Sequence, residues 1–413
     1  MPAAGPATAP TRRAFAELLA EARTRTVLLV STLSAEQISH QPDAEVGSVL
    51  SELERIVRFE ARTLLDDESG SLPRIASYDE WFDLMTDVRQ RALQRLDELE
   101  VGENPVWQDR FRLVLEHEHR RGEGILESLQ AGGEPYRPHQ ERRLPRGRRL
   151  ADPGFMARFP GGTVPIGAAP GATAWPEEQP VHDVVVEPFW IDLMPVTNGD
   201  FMTFMAEGGY TERDLWSDEG WDWVKQSQAG MPRDWSWQDG AWWSRRLGRD
   251  TPIDFTTPVT QVSFYEAEAF ARFVGKRLPS EIEWEAAATW DPETQTRRSY
   301  PWGNMPPSFH VANLDQLALG PAAVGAFPGN LSPIGCYGMI GDVWEWTASE
   351  FTPYPGSDET AARMVGSEFS RDFKVLRGGS WATRPGALRS SSRRSAPPHA
   401  RFLFSGFRCA RDV

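Results

Sequence analysis

PVTQVSFYEAEAFARFVGKRLPSEIEWEAA, residues 258–287, decides the fold of the larger part of this chain. Ser263 is followed three residues later by Glu266, and Ser280 by Glu283. Each pair has the spacing of a reciprocal capping box, which satisfies free backbone amides at a helix start. Two short helices are therefore predicted, in SFYEAEAFARFVGK and in SEIEWEAAATW. Around them lie strand-like runs broken by Gly and Pro, RFPGGTVPIGAAPG, HDVVVEPFWIDLMPVT and DFKVLRGGSW. Long loops rich in Gly, Pro, Asn and Trp fill the remainder. Such a segment, with little helix and many tryptophans, predicts a compact α+β domain over residues 156–413 whose loops pack as part of the core.

Upstream the pattern is different. TRRAFAELLAEARTRTVLLVSTL and VGSVLSELERIVRFEARTLLDD carry apolar residues at helical spacing, the second through Val49, Leu50, Leu53, Ile56, Val57 and Leu64. YDEWFDLMTDVRQRALQRLDEL and NPVWQDRFRLVLEHEHRRGEGILESLQ supply two more amphipathic helices. Four such helices with short connections predict an antiparallel bundle over residues 11–132. The AGG at 131–133 stops the last helix, and residues 133–155, rich in Pro, Gly and Arg, read as a linker.

Composition excludes several classes. A net charge of −15 argues against a nucleic-acid binder. No apolar run approaches the roughly 20 residues that span a bilayer, so no membrane partner is expected. The two cysteines, Cys336 and Cys409, match no zinc or redox spacing. The N-terminal stretch lacks the apolar core of a signal peptide, and a cytoplasmic protein is expected. Trp216, Trp221, Trp223, Trp235, Trp237, Trp242 and Trp243 could form a sugar platform, but loop-core packing is the preferred reading.

Taken in order, PGGTVPIG, DVVVEPFWIDLMPVTNGDF, residues 258–287, YPWGN, GDVWEWTASEF, VLRGGSWAT and FSGFRCARD resemble the formylglycine-generating-enzyme-like fold, a variant of the C-type lectin fold. The helical region is similar to a DinB-type four-helix bundle. That pairing resembles the ergothioneine sulfoxide synthases. The resemblance implies a non-haem iron(II) held by three histidines of the bundle, which with oxygen joins a thiol to trimethylhistidine (hercynine).

The same resemblance locates the parts, and most are altered. Its first iron ligand falls in Glu52-Leu53-Glu54-Arg55-Ile56, where Arg55 takes the histidine position. Its other two fall in His117-Glu118-His119-Arg120-Arg121-Gly122-Glu123, where His117 remains and Arg121 replaces the second histidine. A guanidinium stays protonated and offers no lone pair to a metal. A shifted site would use His119 and Glu123, four residues apart on one helix face. Arg120 stands where the family contacts trimethylhistidine. Ser395, Ala396 and Ala400 stand where thiol-binding Trp, Asp and Arg would be, and the bundle segment DDESGSLPRIASY is shortened. Thr383 and Leu388 fall where the formylglycine oxidases have their copper-binding cysteines.

No cofactor is therefore expected, although the family uses Fe(II). Arg55, Arg120, Arg121, Arg393 and Arg394 are candidate ligand-binding residues, expected to converge between the domains on a small anionic molecule. The alternative is that Glu54, Glu118 and Glu123 neutralise them in a structural salt-bridge net. A second functional reading is an active iron enzyme forming a C–S or C–Se bond with a rearranged ligand set. A third has His117 and Glu123 as metal-free acid–base groups. Tyr354 is the candidate tyrosine acid. Related folds bind calcium in GDVWEW and ANLD, so Asn313, Asp342 and Glu345 are candidate calcium ligands; a capped turn over a buried tryptophan is the other reading.

Overall fold

The computed structural model describes residues 12–42, 45–66, 72–99, 104–139, 141–147, 154–169 and 174–413. They fall into two compact units, Met1–His139 and Gln140–Val413. Part of the stretch read as a linker (148–153) and part of the shortened bundle segment (67–71) lie outside the described residues.

Among the described residues the first unit is helical: α1 (Arg12–Val30), the short α2 (Ala35–Ser39), α3 (Val49–Leu64), α4 (Tyr78–Glu98) and α5 (Pro105–Gly132). The starts are chemically marked. Ser48 and Ser77 accept backbone N–H groups at the starts of α3 and α4, and Asn104 does so for α5, with Pro105 at its first position. Gly133, at φ 70°, ends α5 in the left-handed conformation that glycine adopts without strain. The stripe of α3 is buried at Val49, Leu53, Ile56, Val57 and Leu64, as its spacing predicts. Both α3 and α1 pack against α4 and α5.

The four long helices also meet through charge. Glu118 of α5 accepts from Arg23 Nε at 2.7 Å, Thr26 Oγ1 at 2.9 Å and Arg89 Nη2 at 3.1 Å. Glu60 of α3 accepts from Arg23 Nη2 at 2.8 Å and Arg89 Nε at 2.5 Å. All four charged residues are buried, so each carboxylate depends on its guanidinium partners. Burial pushes the Glu118 carboxyl up, but the charges of Arg23 and Arg89 outweigh it and hold its pKa at about 2.

The second unit begins with β1 (Met156–Phe159) and β2 (Gly162–Ile166), then β3 (His182–Val186), β4 (Phe189–Asp192), α6 (Asn198–Ala206) and α7 (Asp218–Ser227). The hairpin strands β5 (Trp235–Gln238), β6 (Ala241–Arg246) and β7 (Arg249–Pro252) precede α8 (Phe264–Phe273) and α9 (Glu281–Thr289). There follow β8 (Trp290–Asp291), β9 (Thr296–Arg297), β10 (Trp344–Phe351), α10 (Glu359–Met364), β11 (Ser370–Arg377), β12 (Arg393–Ala396), β13 (Ser405–Gly406) and β14 (Ala410–Asp412). The largest sheet has the order β12-β11-β10-β13, and β4 lies between β1 and β14.

Both predicted capping boxes form, Ser263 with Glu266 and Ser280 with Glu283. Trp216 and Trp235 are buried in the core, with Trp221, Trp223 and Trp242 packed against it; Trp237 is exposed. Gly378 (φ 98°) shows why the RGGS turn needs glycine, since a Cβ there would lie 2.6 Å from the Met339 carbonyl oxygen. The thiols of Cys336 and Cys409 are free and buried. No helix among the described residues is long and apolar enough to cross a membrane.

Arg89→Ala is expected to lower the unfolding free energy by about 3 kcal/mol or more, because it strands buried carboxylate charge. Urea unfolding measures this, and a loss near zero would contradict the buried cluster. Glu118 has its folded pKa below its unfolded value. Its contribution is therefore present above about pH 4.5 and lost as pH falls toward about 2. A Glu118→Gln variant should show a flatter loss of stability across that window.

Candidate functional site

The positions that the resemblance assigns to the iron site lie on α3 and α5. Successive turns of α3 carry Glu52, Arg55 and Phe59; α5 brings Glu116, His117, Arg120 and Arg121. Phe59 stacks on the His117 imidazole, with centroids 4.0 Å apart and planes 8° from parallel. His117 is 8 % exposed. Beside it, one carboxylate is shared by two guanidiniums. Glu52 Oε1 pairs with Arg55 Nη1, and Glu52 Oε2 accepts from Arg121 Nη1 at 3.2 Å. Gly124 makes room for this, since a Cβ there would fall 2.8 Å from Glu52 Oε2.

Arg120 pairs with Glu116 at 3.6 Å. Glu52 thus pairs with Arg55 and Arg121, and Glu116 with Arg120. Of the acids expected in this role, Glu54 pairs with Arg58 and Glu118 with Arg23 and Arg89, while Glu123 is buried in α5. Burial lowers the His117 pKa well below its ordinary value, and the charges of Arg121, Arg120, Arg62 and Arg55 push the same way. The imidazole is held neutral in a cationic surrounding.

These residues do not fit an iron ion. Two of the three positions that the resemblance assigns to ligands, Arg55 and Arg121, are protonated guanidiniums engaged with Glu52, and neither can donate a lone pair. The shifted alternative gathers no ligand set either. Among the described residues no group of three or more His, Cys, Asp or Glu side chains is placed to hold a metal ion, and His119 with Glu123 is not extended by a third.

The candidates of the second unit occupy separate places. Arg393 is buried, with Nε and Nη2 each 2.8 Å from Glu281 oxygens and Nη1 2.8 Å from the Glu177 carbonyl oxygen. Its guanidinium also lies 4.1 Å from the Tyr354 ring centroid. This donor set is committed internally. The Tyr354 hydroxyl donates to Glu281 at 3.2 Å inside the same cluster, and burial raises its pKa. Arg394 lies over the Trp344 ring.

Asn313 and Asp342 meet directly at 2.7 Å, but Glu345 is turned to Arg408 and to the Trp284 indole at 2.7 Å. Burial raises the Asp342 carboxyl to about 6, against the hydrogen bonds from the Ala322 amide and Asn313. In this arrangement the Asn313–Asp342 pair is a turn clasp.

Three participants, Glu52, Phe59 and Glu116, were not singled out from the sequence. Glu52 and Arg55 have helix-neighbour spacing, which could have suggested their pairing. The pairing of Glu52 with Arg121 and the stacking of Phe59 on His117 arise only when α3 meets α5.

Comparison with known proteins adds independent findings. Residues 142–413 match the sulfatase-modifying factor enzyme 1-like domain. The chain is similar to the hercynine oxygenase of Mycolicibacterium smegmatis, at 36 % identity across 97 % of this chain and 99 % of that protein. It is 39 % identical to the hercynine oxygenase of Mycolicibacterium thermoresistibile across 79 % of this chain and 73 % of that one. The formylglycine-generating enzyme of Mycobacterium tuberculosis is 33 % identical over 62 % of this chain and 97 % of its own length.

A neutral, depressed His117 predicts that its ring-proton NMR resonance stays fixed between pH 8 and 6; a midpoint near 6.5 would contradict the burial. The sign follows from the lowered folded pKa. The unfolded chain binds the proton first as pH falls, so His117 favours folding above about pH 6.5 and loses that contribution below it.

Proposed function

Because this chain belongs to the sulfatase-modifying factor enzyme 1-like family, in company with the hercynine oxygenases, we propose that it is a divergent member whose bundle receives a small anion in place of iron. The observation that carries this reading is the Glu52 carboxylate shared by Arg55 and Arg121 beside His117. Both arginines stand at positions where the resemblance calls for histidine.

The local charge balance supports an anionic ligand. Arg55, Arg62, Arg120 and Arg121 all raise the positive potential at His117, and Arg55 and Arg121 share a single carboxylate, that of Glu52. Arg55 keeps 55 % of its side chain in solvent, so its remaining donors are accessible. A planar guanidinium receives a carboxylate, sulfate or phosphate through paired N–H groups. The same field disfavours a quaternary ammonium. The thiol-binding residues implied by the resemblance are also replaced, by Ser395, Ala396 and Ala400.

Metal content after anaerobic incubation with Fe(II) and gel filtration tests the reading. The expected result is protein without retained iron; stoichiometric iron would overturn it and favour the rearranged oxygenase. As a gain-of-function control, the double variant Arg55→His with Arg121→His should retain Fe(II), because it returns imidazoles to both positions. On the anion side, sulfate or citrate should raise the melting temperature of the wild-type protein more than that of Arg121→Gln.

A further inference from the structure

A cleft of about 880 Å³ lies within the second unit, and its lining includes none of the candidate residues described above. It is walled mainly by apolar groups, among them Leu144, Met194, Pro252, Phe255, Pro321 and Val324. Two arginines reach this lining: Arg146, which is exposed, and Arg246, whose guanidinium is set into it. Arg246 is the last residue of β6 and immediately precedes the Leu247-Gly248 turn, whose two residues have φ of 45° and 74°. Both positive angles are those of the tight turn that best matches strand twist. Leu247 is buried and pins the turn.

The guanidinium rests on Gly320. A Cβ at that glycine would fall 2.3 Å from Arg246 Nη1 and 2.7 Å from Cζ, so any other residue would displace the arginine. The Gly320 loop is itself held: Asn313 Nδ2 donates to the Gly320 carbonyl at 2.9 Å, and the Ala322 amide donates to Asp342 at 2.8 Å. The clasp between Asn313 and Asp342 thus fixes the floor under Arg246.

Among the described residues no hydrogen bond or ion pair reaches the Arg246 guanidinium. Its burial works against its charge, and Glu141 and Asp254 act on it only through space. The carboxylates nearby are spent on their own loops. Asp254 Oδ1 accepts from Thr256 N and Oγ1, and Asp200 Oδ2 from Thr197 N and Oγ1. The hydroxyls are spent too: Thr251 donates to the Ser244 carbonyl and Thr257 to that of Asp254. A partly buried, permanently charged fork with no acid hydrogen-bonded to it is costly unless a ligand supplies one.

We propose that this cleft binds a small organic monocarboxylate, received by the Arg246 fork with its apolar body against Leu144, Met194, Phe255 and Val324. The charge count selects the class. Arg246 offers one enclosed fork for one carboxylate, while Arg146 and Arg246 together only balance Asp200 and Asp254 in the lining, which leaves no net positive charge to draw a phosphate dianion. The apolar walls favour an acid with a hydrocarbon body over a bare inorganic ion.

Isothermal titration of the full-length protein tests this with three probes: benzoate, benzyl alcohol and inorganic phosphate. Measured in the Arg121→Gln background, which removes the anion patch proposed for the bundle, saturable heat is expected from benzoate alone. Arg246→Gln should weaken benzoate about tenfold or more, the scale of a lost charge-assisted pair, and Gly320→Ala should weaken it by displacing the guanidinium. If Arg246→Gln melts early, Arg246→Lys serves instead, keeping the charge and losing the fork, and should bind benzoate more weakly than wild type. Absence of benzoate binding, equal binding by the Arg246 variant that folds, binding of benzyl alcohol as strong as benzoate, or binding of phosphate in place of benzoate would each overturn the proposal.

Discussion

Glu118 sits where four helices of the bundle meet, and the chemistry of the first unit depends on that placement. Its carboxylate is held by Arg23 and Thr26 from α1 and by Arg89 from α4, while Glu60 of α3 closes the same cluster. A buried carboxylate that loses its partners is strongly destabilising, so α5 has one acceptable rotation about its axis. Adjacent residues on a helix point about 100° apart. With Glu118 fixed inward, His117 is fixed against Phe59, and Arg121 is fixed toward the α3 face that carries Glu52 and Arg55. The charge cluster is therefore what presents the arginines.

The second unit uses the same device on a larger scale. Glu281 receives Arg393, Glu285 receives Arg297 and Arg377, Glu178 receives Arg389, and Glu345 receives Arg408, all in largely buried positions. A fold with short helices and long loops has few regular hydrogen-bond ladders to hold it. Bidentate arginine–carboxylate pairs give those loops defined partners. Arg393 belongs to this framework, which explains why its guanidinium has nothing left to offer a ligand. Arg246 differs because its loop was built around an open cleft and its neighbouring acids cap their own turns.

Much of the fold was legible along the chain. The capping boxes at Ser263 and Ser280 and the apolar stripe from Val49 to Leu64 are local patterns, and local patterns survive folding when nothing competes with them. The site was legible in composition but not in partnership. Arg55 and Arg121 could be located from the motif frame, yet the acid they share was not Glu54, Glu118 or Glu123. Arg246 had no motif to mark it, since a cleft formed by a hairpin, a strap near residue 144 and a loop near residue 321 leaves no periodic trace.

The sequence by itself determined the two-part architecture, the helix starts and the chemical character at positions 55 and 121. A guanidinium cannot ligate iron in any fold, so that conclusion needs no coordinates. The tertiary structure alone decided which charges meet. Glu52 and Arg121 are 69 residues apart, and only the packing of α3 on α5 brings them to 3.2 Å. It also decided that Arg393 is enclosed among carboxylates while Arg246 faces an open cleft. Ionisation chemistry belongs to each residue separately; pairing depends on distance, which arises only when the chain is folded.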